Sequence, residues 1–298
     1  MNKKIFLLSA FICAGFIFFN CQTESENSGG GDSAVSAVVN NSSFSSGSSS
    51  SINGFSVTYD GNNNIAGSVP ADNTVYSHST TVTVKLNSGN LSKIPAAGTA
   101  EAFKFGGWNT KADGSGTTYT AGTGTFTITA NVTLYTKWIK FELGDKGPAN
   151  GWIFYDKGSY SNNWRYLEAA PSDLITTIDW SNVTDKSAGT GTAIGNGSYN
   201  TGKIIGQSGH IESIASKCTS LSIINNGVTY KDWFLPSKDE LNLMYQNIKN
   251  IGGFATSSYC SSSEFSATII WSQSLITGTQ LSMNAKSLNY KARSCRVF

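Results

Sequence analysis

The sequence predicts an α+β protein in which two modest, strand-rich parts follow an export signal and a polar tether. Short apolar runs that alternate with polar residues, separated by Gly, Asn and Ser turns, are typical of β-strands. Apolar residues at helical spacing appear between residues 211 and 248. The 298-residue chain has 31 glycines and 13% charged residues, which suits an exported, β-rich protein with many turns.

The first 21 residues have the layout of an export signal. Lys3 and Lys4 precede an apolar run over residues 5–19, and a polar stretch begins after Cys21. The run is shorter than the roughly twenty residues that a membrane-spanning helix needs. The layout resembles the signal of bacterial lipoproteins, whose cysteine receives a lipid after cleavage. This resemblance implies a signal peptide over residues 1–20, a lipid on Cys21, and a surface-exposed, membrane-anchored location in the cell envelope.

The signal departs from the lipoprotein pattern at Phe18 and Asn20, where that pattern prefers Leu and a small residue. The alternatives are an ordinary cleaved signal and an uncleaved N-terminal anchor. Residues 21–53 then form a Ser/Gly-rich tether, densest in serine from Ser42 to Ser51, with too little apolar area to offset the entropy of ordering. We expect this tether to be disordered and to hold the rest of the chain away from a membrane.

The charge balance argues against nucleic acid as a partner. Lys3 and Lys4 account for the whole formal surplus of +2, so residues 21–298 carry 19 basic and 19 acidic side chains. Binding to phosphate backbones needs a positive surplus or a concentrated basic face. We therefore expect no nucleic-acid partner for the mature chain.

Residues 54–139 predict a small, mainly β domain. Alternating runs place apolar side chains on one strand face, as with Val82, Val84 and Leu86, and turn signals separate them. Four motifs occur in order: VTYDGN at 57–62, FGGWNT at 105–110, GSGTTY at 114–119 and LYTKW at 134–138. Together they resemble the Listeria–Bacteroides repeat, or internalin-type B-repeat, which implies a β-grasp-like module of bacterial surfaces. The repeat is present once, with an insertion at residues 96–102.

Two tryptophans of this domain raise the question of sugar binding. Trp108 and Trp138 have the kind of aromatic side chain that stacks on a sugar ring. Both lie in predicted strands, where large aromatic residues more often fill a core. We therefore predict that both are core residues, and sugar stacking is the alternative.

Residues 141–298 predict an α+β domain with strands first, two helices in the middle and short strands at the end. The first helix has an apolar stripe at i, i+3, i+4 and i+7 that starts at Ile211 and ends at Cys218. The second begins at a capping box from Ser237 to Glu240, in which both side chains satisfy backbone donors of the first helical turn.

Five motifs of this part resemble a second family. They are FYDKG at 154–158, GTAIG at 191–195, DWFLPSKDELN at 232–242, SSSE at 261–264 and RSCRVF at 293–298. The set resembles the Lcl C-terminal domain family, named for a Legionella collagen-like adhesin. The resemblance covers residues 145–298 and implies a fold related to C-type lectins, with adhesion and binding of anionic glycans as the expected function.

Two cysteines depart from the pattern of that family. Cys260 stands where the family usually has Trp, and Cys295 stands where it has an apolar residue. Two coordinated departures in an exported protein, where disulfides are permitted, lead us to predict that Cys260 and Cys295 are paired. The alternative is two independent small apolar substitutions. Cys218 lies on the helical stripe, so we expect a buried thiol there.

The last part of the sequence carries a local run of basic residues. Lys286, Lys291, Arg293 and Arg296 fall within eleven residues that include no acidic residue. In a strand, Lys291 and Arg293 would share a face. Since a local basic patch can bind an acidic or sulfated glycan despite overall neutrality, we predict that these four residues bind an anionic ligand. A solvated face or structural ion pairs are the alternative.

No residue pattern points to catalysis or to a bound metal. The two histidines, His78 and His210, lack neighbours at metal-ligand spacing, and the glycine-rich loop at 189–195 lacks the strand and spacing of a dinucleotide site. Asp239 and Glu240 lie in a first helical turn, where carboxylates favour capping. We expect no catalytic residue, no metal and no cofactor.

The sequence therefore predicts a non-enzymatic surface lipoprotein that meets the membrane through its lipid and binds an acidic glycan in the manner of an adhesin. One alternative is a structural or assembly component that binds another envelope protein. The other is a glycan-acting enzyme, for which Glu168, Asp232 and Glu264 would have to converge in a deep pocket.

Overall fold

The computed structural model describes residues 54–96, 99–174 and 178–298. It is mostly β-sheet, with 35% strand and 11% helix, which agrees with the predicted α+β class. The predicted signal peptide, the lipid on Cys21 and the tether over residues 21–53 lie outside the described residues. Within the described ranges, none of the helices is long and apolar enough to cross a membrane.

The described residues contain six strands in the first part of the chain and eight strands and three helices in the second. The strands of the first part are β1 (Val57–Asp60), β2 (Thr80–Thr83), β3 (Lys104–Asn109), β4 (Thr118–Tyr119), β5 (Thr125–Ile128) and β6 (Val132–Ile139). Those of the second part are β7 (Trp152–Ser161), β8 (Trp164–Ala169), β9 (Ile223–Asn225), β10 (Val228–Tyr230), β11 (Ser258–Glu264), β12 (Ile269–Ser274), β13 (Gln280–Ala285) and β14 (Cys295–Val297). The helices are α1 (Gly197–Ile205), α2 (Ile214–Thr219) and α3 (Lys238–Ile248).

The first part packs a mixed sheet and a two-stranded sheet around Trp108. The mixed sheet has the order β1-β6-β3-β4, in which only β1 and β6 are parallel, and the smaller sheet pairs β2 with β5. Trp108 is fully buried, and its ring centroid lies 4.6 Å from that of Tyr59 in an edge-on arrangement. The predicted face of Val82, Val84 and Leu86 is correct for the two valines only. Leu86 is 64% exposed, although Val84, which also follows the end of β2, is buried.

The second part consists of two antiparallel three-stranded sheets and one hairpin. The sheets have the orders β14-β8-β7 and β11-β12-β13, and the hairpin joins β9 to β10. Helix α3 contacts β7, β11 and β12, so it fills the space between the two sheets. Its residues Leu241 and Met244 are buried in one core cluster with Phe154.

The helix starts test the capping predictions directly. The capping box at Ser237 is confirmed, since Ser237 Oγ accepts from the Glu240 N–H at 3.3 Å and the Glu240 carboxylate accepts from the Ser237 N–H at 2.7 Å. The other predicted helix is shorter than expected, because Ser213 caps α2 and leaves Ile211 86% exposed outside it. Helix α1 was not predicted, since two glycines and a threonine give its sequence a weak helix propensity.

The two parts of the chain share a small core around Phe298. The Phe298 ring lies 5.4 Å from Phe141 and 5.3 Å from Tyr166, measured between ring centroids. An ion pair from Arg165 to Glu101 joins the second part to the first beside this core. These contacts hold the repeat-like part against β8 and therefore fix the position of one relative to the other.

Candidate functional site

A cleft lies between the first part of the chain and the β9–β10 hairpin of the second. It consists of two adjoining cavities of about 270 and 370 Å³, which share Ala66, Ser92, Ile94, Val228 and Tyr230 in their lining. We call it the interdomain cleft. Clefts between compact parts of a chain are common ligand sites, because groups from both walls can fix a ligand.

The hairpin wall of the cleft depends on an Asn-Gly turn. Asn226 and Gly227 have φ values of 49° and 77°, the left-handed conformation that a tight two-residue hairpin turn requires and that Asn and Gly adopt readily. The Asn225 side chain donates to the Pro148 carbonyl at 2.9 Å and ties the hairpin to the rest of the second part. Val228 stays 48% exposed at the mouth of the cleft.

The opposite wall is an irregular segment of the first part, which forms backbone hydrogen bonds to a neighbouring segment on each side. The Ser92 N–H donates to the Ala66 carbonyl at 2.9 Å, and the Lys93 carbonyl accepts from the Phe103 N–H at 3.0 Å. These bonds hold Ile94, which is half-buried, at the surface of the cleft. The wall therefore presents apolar surface beside hydrogen-bonding groups.

Arg296 supports the base of the hairpin wall. Its guanidinium donates to both carboxylate oxygens of Asp232, at 2.8 and 2.9 Å, and to Glu168 at 3.1 Å. It also lies 4.8 Å from the centroid of the Tyr230 ring. Burial alone would lower the pKa of Arg296, but the hydrogen bonds to Asp232 and the charge of Glu168 outweigh it and raise the pKa. Arg296 therefore stays charged and orients Tyr230 and Asp232 at the cleft.

The cleft lining carries more positive than negative charge. It contains Lys104, Lys146, Lys231 and Arg296 but a single acidic residue, Asp232. Ion pairs neutralise Lys104 and Arg296, whereas no carboxylate of the described residues lies within 4.0 Å of the ammonium groups of Lys146 and Lys231. With an aromatic ring and several asparagine side chains nearby, this arrangement suits a polar ligand that carries negative charge.

The four basic residues predicted to bind an anionic ligand do not form a surface patch. The structure buries three of them, Lys286, Arg293 and Arg296. Lys291 is half-buried, and its carbonyl accepts from the N–H of Cys260 at 3.0 Å. This burial argues against a shared basic surface, and structural ion pairs, the alternative, describe three of the four residues.

Each of these buried cations has a specific acidic partner. Lys286 Nζ lies 2.6 Å from a carboxylate oxygen of Glu264, and the Arg293 guanidinium lies 2.7 Å from Asp173. Arg293 also donates to the backbone carbonyl of Gly252 at 2.8 Å. A cation without exposed surface has to be compensated in this way, since an unpaired buried charge is strongly destabilising.

The three cysteines of the described ranges are free thiols. Cys218, Cys260 and Cys295 are all buried, and the predicted disulfide between Cys260 and Cys295 is absent from the described part of the chain. Cys260 packs in the core cluster of Trp180, whereas Cys295 packs in the separate cluster of Phe154. Two small apolar substitutions, the alternative, fit this placement. Burial raises the pKa of Cys218 to about 12, which agrees with the buried thiol expected there.

Three glutamates of the second part, the buried Glu168 and Glu240 and the half-buried Glu264, hold loops in place. Each accepts hydrogen bonds from backbone N–H groups of a glycine-containing loop: Glu168 from Ala149 and Gly151, Glu240 from Gly195 and Gly197, and Glu264 from Ala188 and Gly189. A Cβ atom at Gly197 would lie 2.2 Å from the Glu240 carboxylate, so only glycine allows this approach. Glu168 shares Arg296 with Asp232, but Glu264 belongs to a separate network with Lys286.

The two histidines make local hydrogen bonds. His210 Nε2 lies 2.9 Å from Ser213 Oγ at the start of α2, and His78 Nδ1 lies 2.8 Å from Ser79 Oγ. Burial lowers the pKa of His210. Across the described ranges, no group of three or more His, Cys, Asp or Glu side chains is arranged to hold a metal ion.

The interdomain cleft was not predicted, although one signal for it exists in the sequence. Asn226-Gly227 between two short β-prone runs is a strong hairpin signal and could have placed β9 and β10. The opposite wall has no such signal, because Ser92 and Ile94 lie in an irregular segment that is positioned by contacts distant in sequence.

Comparison with known families supports the interpretation of the first part. Residues 55–137 match the Listeria-Bacteroides repeat domain, so the predicted resemblance of residues 54–139 is confirmed. This repeat accounts for less than a third of the chain. No curated protein matches the chain in sequence. The repeat thus supplies one wall of the cleft, and the hairpin that faces it lies outside the matched residues.

Proposed function

We propose that this chain is a non-enzymatic, lipid-anchored protein of the bacterial cell envelope that binds an acidic glycan in the interdomain cleft. The proposal rests on Lys146 and Lys231, two lysines without a carboxylate partner among the described residues, in a cleft that also presents the Tyr230 ring. Aromatic rings offer an apolar face to sugars, and ammonium groups pair with carboxylate or sulfate. Such a protein would act as an adhesin.

The envelope location rests on the sequence. Residues 1–20 and Cys21 resemble a lipoprotein signal and its lipidated cysteine, and a Ser/Gly-rich tether follows up to residue 53. A flexible chain of about thirty residues spans roughly 30 Å. That length is enough to hold the cleft away from the bilayer.

We further propose that the repeat is β-grasp-like and that residues 141–298 belong to the Lcl C-terminal domain family, with a fold related to C-type lectins. The parallel pairing of β1 with β6 inside a mixed sheet supports the first assignment. The five sequence motifs support the second assignment. So does the pairing of β14 with β8, which places the last strand of this part beside one of its first two strands.

A structural or assembly role, with another envelope protein as partner, is the second candidate function. The hairpin favours it, because Ile224 and Val228 are 73% and 48% exposed beside the cleft and apolar surface of this kind often contacts proteins. A glycan-acting enzyme is less well supported, since Glu168 and Glu264 are each occupied by backbone donors and a paired cation.

Binding of the mature chain to a glycan array over a salt series tests the proposal. We expect Lys146→Ala/Lys231→Ala to weaken binding of acidic glycans at least about tenfold, which corresponds to roughly 1.4 kcal/mol, and wild-type binding to weaken as salt rises. The control Lys111→Ala/Lys203→Ala removes the same charge from exposed positions outside the cleft and should bind like the wild type.

Two results would contradict the proposal. One is that the folded chain binds no acidic glycan. The other is that both double variants lose binding equally, which would show that binding depends on the net charge and not on the lysines of the cleft. In either case, the assembly role is tested next, with the exposed residues Ile224 and Val228 replaced by Ser.

A further inference from the structure

The repeat contains a second concave site, where Trp138 reaches the surface. The two tryptophans of the repeat differ, since Trp108 is 0% exposed and Trp138 is half-buried beside a cavity of about 300 Å³. We call this cavity the Trp138 pocket. It shares no lining residue with the interdomain cleft, and the other lining residues that matter here are Asn62, Lys93, Asp113 and Lys137.

The Trp138 ring is held in place by the surrounding backbone. Its indole N–H donates to the Asn62 carbonyl at 2.8 Å, and the Asn62 side chain donates to the carbonyls of Ala112 and Thr136 at 2.7 and 2.9 Å. Asn62 has a φ of 48°, a left-handed conformation that asparagine adopts more readily than most residues. A ring fixed in this way loses little freedom when a ligand stacks on it, which favours binding.

Three charged residues line the Trp138 pocket: Lys93, Asp113 and Lys137. Lys93 Nζ lies 6.0 Å from the Trp138 ring centroid, and Lys137 lines the same pocket. In the described part of the chain, no carboxylate lies within 4.0 Å of either ammonium group. Asp113 accepts from the Ser115 N–H at 2.9 Å and remains exposed, where it can accept hydrogen bonds from hydroxyl groups.

We infer that the Trp138 pocket binds a sugar ring that carries a carboxylate. The apolar face of the sugar lies on Trp138, its carboxylate pairs with Lys93 and Lys137, and its hydroxyls donate to Asp113. An aromatic face, two cations and one acceptor match this chemistry better than a neutral sugar, which leaves both lysines unpaired. The inference gives the repeat a binding role of its own, beyond supplying one wall of the interdomain cleft.

An NMR titration of the mature chain tests this inference. The seven tryptophans give seven indole N–H signals, and Trp138→Phe identifies the signal of Trp138. We expect hyaluronan tetrasaccharide, which carries glucuronic acid, to shift this signal to saturation. Lys93→Ala/Lys137→Ala should weaken the response at least about tenfold, and neutral chitotetraose should bind at least about tenfold more weakly. The control Lys203→Ala, at an exposed position of α1 outside the pocket, should change nothing.

The possible results separate the two sites. Lys146→Ala/Lys231→Ala removes charge from the interdomain cleft alone and should leave the Trp138 response intact. A Trp138 signal that does not move in the folded protein overturns the inference, whatever the cleft binds. An equal response to the neutral sugar, or an unchanged affinity in Lys93→Ala/Lys137→Ala, also overturns it, because the lysines would then have no part in binding.

Discussion

The repeat and the second part of the chain are stabilised in different ways. The buried core of the repeat is apolar and aromatic and surrounds Trp108. The second part buries six charged side chains, namely Arg165, Glu168, Glu240, Lys286, Arg293 and Arg296. A buried charge needs a specific partner, and here the partners come from distant segments. Apolar patterns therefore predict the repeat well, whereas the basic run of the second part does not show in the sequence that three of its side chains are buried.

The largest effect is expected from Arg296→Ala. This change leaves the Glu168 carboxylate, which is 0% exposed, without its cation, and should lower the free energy of unfolding by about 3–5 kcal/mol. Urea denaturation followed by circular dichroism measures it. Lys291→Ala, in the same basic run, should change stability by only about 0.5 kcal/mol. Similar losses in the two variants would contradict the distinction between buried pairs and the remaining basic residue.

Glu264→Gln is expected to have a smaller effect. The change leaves Lys286 without its carboxylate, but Lys286 Nζ still donates to the Lys186 carbonyl at 2.7 Å, and a glutamine oxygen still accepts from the loop. We expect a loss of about 1–3 kcal/mol at neutral pH, measured by urea denaturation. Glu212→Gln, at an exposed position, is the control and should stay close to the wild type.

The same pair predicts a pH dependence. Burial alone would raise the pKa of Glu264, but Lys286 and the Ala188 N–H outweigh it and lower the pKa below the ordinary value of 4.5. The pair therefore stabilises the fold fully above about pH 4.5, and this stabilisation is lost as the pH falls through the lower pKa of the folded state. Denaturation curves between pH 7 and pH 3 should show that acid lowers the free energy of unfolding less in Glu264→Gln than in the wild type. An unchanged acid loss would exclude this carboxylate as a contributor.

The smallest stability effect is expected at the capping box. Ser237→Ala removes the hydroxyl that accepts from the Glu240 N–H, and should cost about 1 kcal/mol. Ser222→Ala, at an exposed position outside a helix, should be neutral. Thermal unfolding of the two variants side by side measures the difference, and equal melting temperatures would mean that the cap is unimportant for α3.

The sequence predicts local structure in both parts, because local structure depends on neighbouring residues. The capping box at Ser237 joins residues three positions apart, and it is confirmed. In contrast, Arg293 meets Asp173 across 120 positions and Arg296 meets Glu168 across 128. No periodicity or spacing records such pairings, so a run of exposed cations and a run of buried ion pairs have the same appearance in the sequence.

The two walls of the interdomain cleft also differ in how far the sequence predicts them. The Asn226-Gly227 turn is a local signal for one wall of the interdomain cleft, whereas the position of Ile94 opposite depends on the packing of the repeat against the second part. Trp138 shows the same limit. Its strand context predicts a core residue, and it does pack against the core of the repeat, but only the tertiary structure shows that it is half-buried whereas Trp108 is fully buried.

Hydrogen–deuterium exchange of the mature chain, with and without hyaluronan tetrasaccharide, tests the central proposal most directly. If the glycan lies in the interdomain cleft, exchange should slow in both walls, residues 87–92 of the repeat and residues 223–232 of the hairpin. The same protection should disappear in Lys146→Ala/Lys231→Ala and persist in Lys111→Ala/Lys203→Ala. Unchanged exchange in both walls at saturating glycan would contradict the proposal that the two parts of this chain form one binding site.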